Sequence, residues 1–193
     1  MRTLIRPAIV SLLLLTLLTG GIYPAIVTVG ARLVFPSQAS GSVIVAGGKE
    51  MGSRLIGQEF HTPRYFWSRP SATGPVPYNG ASSSGSNLGP SNPAQLQAVT
   101  DRVALLRAAD PGNTAPVPID LATASGSGLD PQISPAAAAY QVDRVARARG
   151  MSVERVRAVV AAHTLERQFG VLGERRVEVL PLNLALDSLS GAP

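Results

Sequence analysis

Two histidines, His61 and His163, are the only imidazoles that this chain could use for general base catalysis. His163 continues an apolar stripe at helical spacing, which is typical of a part-buried histidine with satisfied hydrogen bonds. His61 lies in a long loop with no evident partner. A Ser-His-Asp site can assemble from distant positions, but neither Ser125 nor Ser127 has the flanking glycines of a nucleophile elbow. We therefore predict that the chain is not an enzyme by itself.

Metal and thiol chemistry are also poorly supported by the residue types. The chain contains no cysteine, which excludes disulfides, thiol catalysis and thiolate metal ligands. Asp120 and Asp130 lack the spacing of a calcium loop, and Asp130 before a proline indicates a turn. We predict that this chain holds no metal or other cofactor.

Two stretches rich in serine and glycine remain as candidate binding sites. They are SGSNLGPSNP at 84–93 and SGSGLDP at 125–131. Glycine-rich turns before helices can hold anions on backbone N–H groups, so phosphate binding is one interpretation. The other is helix initiation, because neither stretch has a lysine or the P-loop spacing. The candidate motif or partner-contact residues here are Gly85, Ser86, Asn87, Leu88, Gly89, Asn92, Ser125, Gly126, Ser127, Gly128, Leu129 and Asp130.

Helix signals follow both stretches directly. Asn92 and Pro93 suit the N-cap and first position of one helix, and Ser134 and Pro135 suit those of a second. Apolar residues then recur at helical spacing in both segments. Gly150 predicts the end of the second helix.

Further elements are predicted on both sides of these helices. A third helix is expected from Ser152 through about Arg167. Short strands are expected in SVIV (42–45) and SRLIGQEF (53–60). The alternating segment RRVEVLPLNLALD (175–187) predicts a strand with a bulge or edge near Leu180-Pro181.

Residues 61–92 show no helical periodicity, and a loop of this length is usually disordered or functional. Four of the chain's nine aromatic residues fall within it, whereas disordered linkers contain few. We predict an ordered loop that is packed by its own side chains and can contact a partner. Its candidate residues are Tyr65, Phe66, Arg69, Pro70, Tyr78 and Asn79.

The N-terminus contains 25 consecutive uncharged residues from Pro7 to Ala31, enough for a helix across a bilayer. Arg2 and Arg6 precede them, which by the positive-inside tendency predicts a cytoplasmic N-terminus and an external remainder. We favour an uncleaved anchor. The alternative is a signal peptide cleaved after Ala31, which would release a secreted or periplasmic enzyme.

Small residues at Gly20, Gly21 and Ala25 create a face on this helix that would let another helix approach closely. The lipid bilayer is therefore one expected partner, and a neighbouring helix is another. Nucleic acid is not expected, because no Lys/Arg run occurs and most basic residues outside the N-terminus are balanced by acidic ones.

Several long stretches carry a family resemblance, in order over nearly the whole chain. They are GSRLIGQEF, PRYFWSRPSA, YNGASSSGSNLGPSNP, VPIDLATASGSGLDPQISPAAAAYQVDRVARARG and LNLALD, after one apolar N-terminal helix. Together they closely resemble the C subunit of the bacterial potassium-transporting Kdp ATPase. One departure is Ser84, where glycine is expected. We predict an α+β protein: one N-terminal transmembrane helix followed by a mixed α/β extracytoplasmic domain with about three helices and a small sheet.

The resemblance implies a non-catalytic accessory subunit that assembles and stabilises an ATP-driven potassium import complex in the bacterial inner membrane. The implied partners are a channel-like potassium-binding subunit (KdpA), a P-type ATPase subunit with the catalytic site (KdpB) and a small helical subunit (KdpF). ATP, Mg and potassium would be used on those other subunits. Residues 1–6 would be cytoplasmic, 7–35 would form the transmembrane helix and its exit, and 36–193 the periplasmic domain.

An alternative role implied by the resemblance is that of a catalytic chaperone that raises the ATP affinity of the ATPase subunit. The nucleotide-related candidate would be Gln141. The charge argument places Gln141 outside the membrane, away from cytoplasmic ATP. It therefore favours the accessory role.

Overall fold

The computed structural model describes residues 2–189 of the chain. Met1 of the predicted N-terminus and residues 190–193 of the predicted domain lie outside the described residues, as does the side chain of Arg2. The chain divides into two units, Met1–Glu50 and Met51–Pro193.

The first unit is dominated by one long helical run. Thr3–Val34 is apolar and long enough to cross a membrane. It consists of α1 (Arg2–Leu17), a π-helical turn (Leu18–Ile22) and α2 (Tyr23–Val34). The predicted small-residue positions Gly20 and Gly21 therefore lie in the π-helical turn, while Ala25 lies in α2. The short helix α3 (Pro36–Ala39) and strand β1 (Val43–Ala46) follow. Strand β1 forms a two-stranded sheet with β2 (Lys49–Ser53), which spans the boundary between the two units at Glu50.

The second unit contains helices packed on a small antiparallel sheet. Its elements are α4 (Pro93–Ala109), α5 (Ile119–Ala122), β3 (Gln132–Ile133), α6 (Pro135–Arg149), α7 (Val153–Ala162), β4 (Thr164–Leu165), β5 (Arg176–Glu178) and α8 (Val179–Leu189). The strand order is β3-β5-β4, with Ile133 opposite Val177 and Thr164 opposite Val177. The predicted α+β class is confirmed, and α3, α5 and α8 add to the three helices expected for residues 36–193.

The capping residues predicted from the sequence lie at the helix ends in the structure. The Asn92 side chain accepts a hydrogen bond from the amide of Ala94 at 2.9 Å, and Ser134 Oγ accepts one from Ala137 at 3.0 Å. Gly150 ends α6 in the left-handed conformation, with φ at 63°. The predicted N-caps and this C-cap are confirmed.

The predicted strand over residues 175–187 is wrong beyond Glu178, because α8 begins at Val179. Val179, Leu182 and Leu186 recur at helical spacing on its buried face. Pro181 falls in the first turn of α8, where its missing N–H removes no helical hydrogen bond.

Two other boundaries differ from expectation because strand pairing overrides local pattern. The third helix, α7, ends at Ala162 instead of near Arg167, since Thr164–Leu165 pairs with β5 as strand β4. The predicted strand at 53–60 is also wrong, because β2 lies earlier, at Lys49–Ser53. From residue 54 to the start of α4 the described chain has no helix or strand.

The core of the second unit lies between α6, α7, α8, the sheet and the long loop. Phe66 in that loop is fully buried, as are Val145 of α6 and Val177 of β5. The loop is therefore ordered, as predicted, and its Phe66 side chain packs into the core; contact of the loop with a partner stays a prediction. Fully burying such side chains stabilises a domain by about 1.5–3 kcal/mol each.

Candidate functional site

The two serine- and glycine-rich stretches, far apart in sequence, contact each other directly. The amide of Ser84 and the hydroxyl of Ser83 each donate a hydrogen bond to the carbonyl of Ser127 at 3.0 Å. A Cβ added at Gly85 would lie 3.0 Å from the carbonyl oxygen of Gly126. A side chain at position 85 would therefore be crowded by the backbone of Gly126.

A third segment, residues 69–79, joins these stretches and completes what we call the loop cluster (69–79, 83–85 and 125–130). Ser71 Oγ donates to the carbonyl of Gly128 at 2.6 Å and accepts from the amide of Tyr78 at 2.9 Å. The amide of Ser125 donates to the carbonyl of Pro70 at 3.2 Å. Three loops without regular structure are thus tied into one body by their own polar groups.

Tyr78 is the aromatic side chain of the loop cluster, and it stands in a left-handed backbone conformation. Its hydroxyl donates to the carbonyl of Arg69 at 2.6 Å. Burial raises the pKa of Tyr78 to about 12. The phenol is therefore neutral and serves as a hydrogen-bond donor to the backbone.

The charged groups of the loop cluster pair with each other. Arg69 Nη1 lies 3.4 Å from Asp130 Oδ2, and other Arg69 nitrogens donate to the carbonyls of Thr123 and Ala124 at 3.4 Å. Asp130 Oδ1 also accepts from the amide of Gln132 at 3.0 Å, which confirms the predicted turn. This guanidinium is engaged by backbone carbonyls and a carboxylate, an arrangement that holds loops together.

Asp120, the other aspartate near this turn, also has a structural partner. Its two oxygens accept hydrogen bonds from the amide and hydroxyl of Ser134, at 2.7 and 3.1 Å. Ser134 is the N-cap of α6, so Asp120 orients the start of that helix.

Beside the loop cluster, three side chains hold the backbone of residues 63–67; we call Gln141, Arg144 and Asn183 the clamp. Gln141 is 1% exposed. Its Oε1 accepts from the amide of Trp67 at 2.8 Å and from Arg144 Nη2 at 2.6 Å. Its Nε2 donates to the carbonyls of Trp67 and Ala137, both at 3.2 Å. All four hydrogen-bonding positions of this carboxamide are occupied within the domain.

Asn183 of α8 forms the same pair of hydrogen bonds with the backbone of Phe66. Its Oδ1 accepts from the amide of Phe66 at 2.8 Å, and its Nδ2 donates to the carbonyl of Phe66 at 3.0 Å. Two buried carboxamides from two helices therefore satisfy the backbone amides and carbonyls of Phe66 and Trp67.

Arg144 completes the clamp from α6. Its Nη1 donates to the carbonyls of Pro63 and Tyr65 at 2.7 and 3.1 Å, and its guanidinium carbon lies 4.7 Å from the centre of the Trp67 ring. Burial lowers the pKa of Arg144 to about 10.

Sequence reasoning singled out Gln141 only through the family resemblance and missed Arg144 and Asn183. The available signal was a polar residue on an apolar helix face: Gln141 and Arg144 alternate with buried Val142 and Val145 on α6. Buried polar side chains require partners, so such positions predict an internal hydrogen-bond network.

The other candidate residues lie mainly at turns or on the surface. Asn79 donates to the carbonyl of Gly74 and accepts from the amide of Ala81, at 2.9 and 3.1 Å. Tyr65 donates to Asp187 at 3.1 Å, and burial raises the pKa of Tyr65.

The remaining candidates lie outside these turns. The exposed connection to α4 consists of Ser86, Asn87, Leu88 and Gly89. The carbonyl of Leu129 accepts a hydrogen bond from the amide of Gly57 at 2.9 Å. Gly20, Gly21 and Ala25 are exposed on the N-terminal helical run.

His163 is placed as the sequence predicted, whereas His61, predicted to have no partner, lies beside Glu59. Nδ1 of His163 lies 2.8 Å from the carbonyl oxygen of Val159 one helical turn earlier, and the residue is half-buried. His61 is exposed, with Nε2 3.5 Å from a carboxylate oxygen of Glu59. Within residues 2–189, no group of three or more histidine, aspartate and glutamate side chains is arranged to hold a metal ion.

The described residues therefore combine one helix long and apolar enough to cross a membrane with a domain whose polar groups mainly hold its own loops. Residues 5–188 match the model of the family described as KdpC, the K+-transporting ATPase c chain. The chain belongs to this family.

Curated relatives agree over nearly the full length. The chain is 60% identical to the potassium-transporting ATPase KdpC subunit of Herpetosiphon aurantiacus, with 98% of each chain covered. It is 61% identical to that of Polaromonas naphthalenivorans, covering 98% of this chain and 96% of the relative. It is 62% identical to that of Methylococcus capsulatus, covering 95% and 97%. The family resemblance predicted from the sequence motifs is confirmed.

Proposed function

We propose that this chain is a non-catalytic accessory subunit of an ATP-driven potassium import complex. It assembles and stabilises the channel-like subunit and the P-type ATPase subunit, with the small helical subunit as a third partner. Its relatives are named as subunits of a potassium-transporting ATPase, which supports membership in such a complex. In this proposal the catalytic site lies on another chain.

The observation that carries the proposal is the state of Gln141. A nucleotide-binding role needs a side chain that can reach a ligand, but Gln141 is buried and its oxygen and nitrogen each have two internal partners. Exchanging these partners for a nucleotide would leave the amide and carbonyl of Trp67 unpaired in the core, which is costly. Gln141 is better suited to holding the domain together.

The proposed topology follows the sequence argument. Residues 1–6 lie in the cytoplasm, 7–35 form the transmembrane helix and its exit, and 36–193 lie in the periplasm of a bacterial cell. The apolar length of Thr3–Val34 supports a membrane anchor. The arginines at positions 2 and 6 support an internal N-terminus.

Sidedness can be measured in this naturally cysteine-free chain. We would introduce single cysteines at Ala104 of α4 and Ala158 of α7, because both positions are exposed and lie outside the loop cluster and the clamp. Sealed right-side-out vesicles containing the assembled complex are treated with a membrane-impermeant thiol reagent, before and after permeabilisation. The proposal expects full labelling before permeabilisation.

Labelling of both cysteines only after permeabilisation would contradict the topology and return the ATP-affinity role to consideration. The complex itself is tested in parallel by purifying it through a tag on the ATPase subunit. Absence of this chain from the purified complex would contradict the accessory role.

A further inference from the structure

A hairpin arm, residues 166–175, extends from the small sheet between β4 and β5. All of its residues are exposed. Gln168 and Leu172 pair across it in antiparallel fashion, with the amide of each donating to the carbonyl of the other at 2.9 Å. The arm therefore has a defined conformation although it packs little against the domain.

The tip of the hairpin arm carries apolar side chains in water. Phe169 is 84% exposed, Val171 72% and Leu172 56%. Among the large apolar side chains in the part of the chain that the structure describes, Phe169 has the highest exposed fraction. Three neighbouring exposed apolar side chains, one of them aromatic, have the composition of an anchor in a protein interface.

The backbone at the tip is also unfavourable for phenylalanine. Phe169 and Gly170 both have positive φ, 55° and 79°, as in the turns that join tight hairpins. Glycine, asparagine and aspartate suit such positions, whereas a bulky side chain is strained there. Within the domain, the exposed Phe169 ring makes little packing that would offset this strain. Favourable contacts of the Phe169 ring with another molecule would account for a phenylalanine at this strained position.

The sides of the hairpin arm are held by ion pairs. Arg167 Nη2 lies 2.7 Å from Glu174 Oε2, and Arg175 Nη2 lies 2.8 Å from Glu166 Oε1. These pairs join the two limbs of the arm and neutralise its charges. Anionic lipid surfaces attract segments with net positive charge, and the two arginines and two glutamates of this arm leave it with none. Internal neutralisation therefore favours a protein as the occupant.

The small apolar area of the tip indicates what kind of protein it contacts. Stable dimers bury about 800 Å² per partner, more than three side chains supply. A small anchor contributes usefully when the two proteins are already held together elsewhere, because the second contact is then intramolecular. A subunit that shares a membrane complex with its partners meets this condition.

We propose that the tip formed by Phe169, Val171 and Leu172 docks into an apolar pocket on another subunit of the potassium pump. The inference rests on the proposed accessory function and deepens it by naming the contact surface. The partner is recognised by chemistry: an apolar pocket, outside the bilayer, that admits an aromatic ring.

The test is a competition between two full-length chains in one cell. Wild-type and Phe169→Asn chains are co-expressed with the other subunits, and the complex is purified through a tag on the ATPase subunit. Peptide mass spectrometry gives the variant-to-wild-type ratio in the complex and in total membranes. Ile119→Asn is the matched control, because Ile119 is also highly exposed but lies on α5.

We expect the Phe169→Asn share in the complex to fall by about tenfold or more relative to its share in membranes, as for an interface anchor. Ile119→Asn should be incorporated like wild type. The isolated Phe169→Asn chain should unfold at the same temperature as wild type or higher, because asparagine tolerates positive φ.

Equal incorporation of the Phe169→Asn chain would overturn the inference while leaving the accessory function standing. A lowered unfolding temperature that accompanies lost incorporation would overturn it too, since the effect would then come from folding. If wild-type chains are themselves absent from the purified complex, the proposed function fails and the inference fails with it.

Discussion

The carboxamide of Gln141 pairs with both backbone groups of Trp67, accepting from its amide at 2.8 Å and donating to its carbonyl at 3.2 Å. These residues are 74 positions apart. The pairing resembles one rung of a β-ladder in which a side chain replaces the second strand. It explains how a long loop without regular structure can form part of a hydrophobic core, because its polar backbone is satisfied where it is buried.

Replacing Gln141 with alanine should destabilise the second unit by roughly 2–4 kcal/mol, because the buried amide and carbonyl of Trp67 lose their partners. Urea unfolding of the full-length chain, followed by the fluorescence of Trp67, would measure the loss; Trp67 is the only tryptophan. The control is Gln97→Ala on α4, where an exposed carboxamide bonds only to Asp101 in the described structure and its loss should change stability by less than about 0.5 kcal/mol. Equal effects at both positions would contradict the importance of the clamp.

Gly128→Ala should disrupt the junction of the loop cluster. The residue has φ at 68°, and an added Cβ would lie 2.5 Å from Thr73 Cγ2 and 2.6 Å from the carbonyl oxygen of Ser84. The strained backbone and the overlap together should cost at least about 2 kcal/mol. Gly126→Ala in the same turn is the matched control, because its added Cβ meets nothing within 4 Å. The same urea titration compares them, and similar midpoints for the two variants would show that the junction tolerates a side chain.

The phenol of Tyr78 should make stability depend on alkaline pH. Its pKa is raised by burial from 10.0 to about 12, so the folded state favours the protonated phenol. This stabilisation is complete below pH 10 and is lost as pH rises from about 10 to about 12. Unfolding free energy in that window should therefore fall more steeply for wild type than for Tyr78→Phe. Arg144, whose lowered pKa acts in the opposite direction, is present in both proteins and cancels in the comparison.

A Tyr78→Phe variant should also be less stable at neutral pH, by about 1–2 kcal/mol, because the carbonyl of Arg69 loses its donor. Parallel pH curves for the two proteins between pH 10 and 12 would show that the phenol titrates as it does in water.

Asp110 and Arg147 form an ion pair in which only Asp110 is buried. Asp110 is 3% exposed, whereas the side chain of Arg147 is largely in solvent and donates to Asp110 Oδ1. Arg147→Ala should destabilise the domain by roughly 1–3 kcal/mol, because a buried carboxylate is left without its cation. Adding Asp110→Asn to Arg147→Ala should recover part of this loss, since the uncompensated charge is removed.

A double-mutant cycle measured by urea unfolding tests the pairing of Asp110 and Arg147. Arg157→Ala, at an exposed site on α7, serves as the single-variant control and should be close to neutral. Strict additivity of the two substitutions would show that the carboxylate and guanidinium do not interact in solution.

Several features of this protein can be predicted from stretches of its sequence. Asn92, Ser134 and Gly150 mark helix ends because capping depends on atoms within a few residues of each other. The apolar run at Thr3–Val34 is recognisable because bilayer thickness sets a minimum length. The family is recognisable because long motifs persist along nearly the whole chain.

Tertiary structure decided the features that depend on distant partners. The segment after Glu178 alternates like a strand, yet it is the helix α8, because its face of Val179, Leu182 and Leu186 packs into the core. Likewise, no local pattern shows that Ser84 bonds to Ser127 or that Asn183 holds Phe66. Sequence periodicity reports which side of an element is apolar, whereas hydrogen-bond partners separated by 40 to 120 positions are chosen only when the core forms around them.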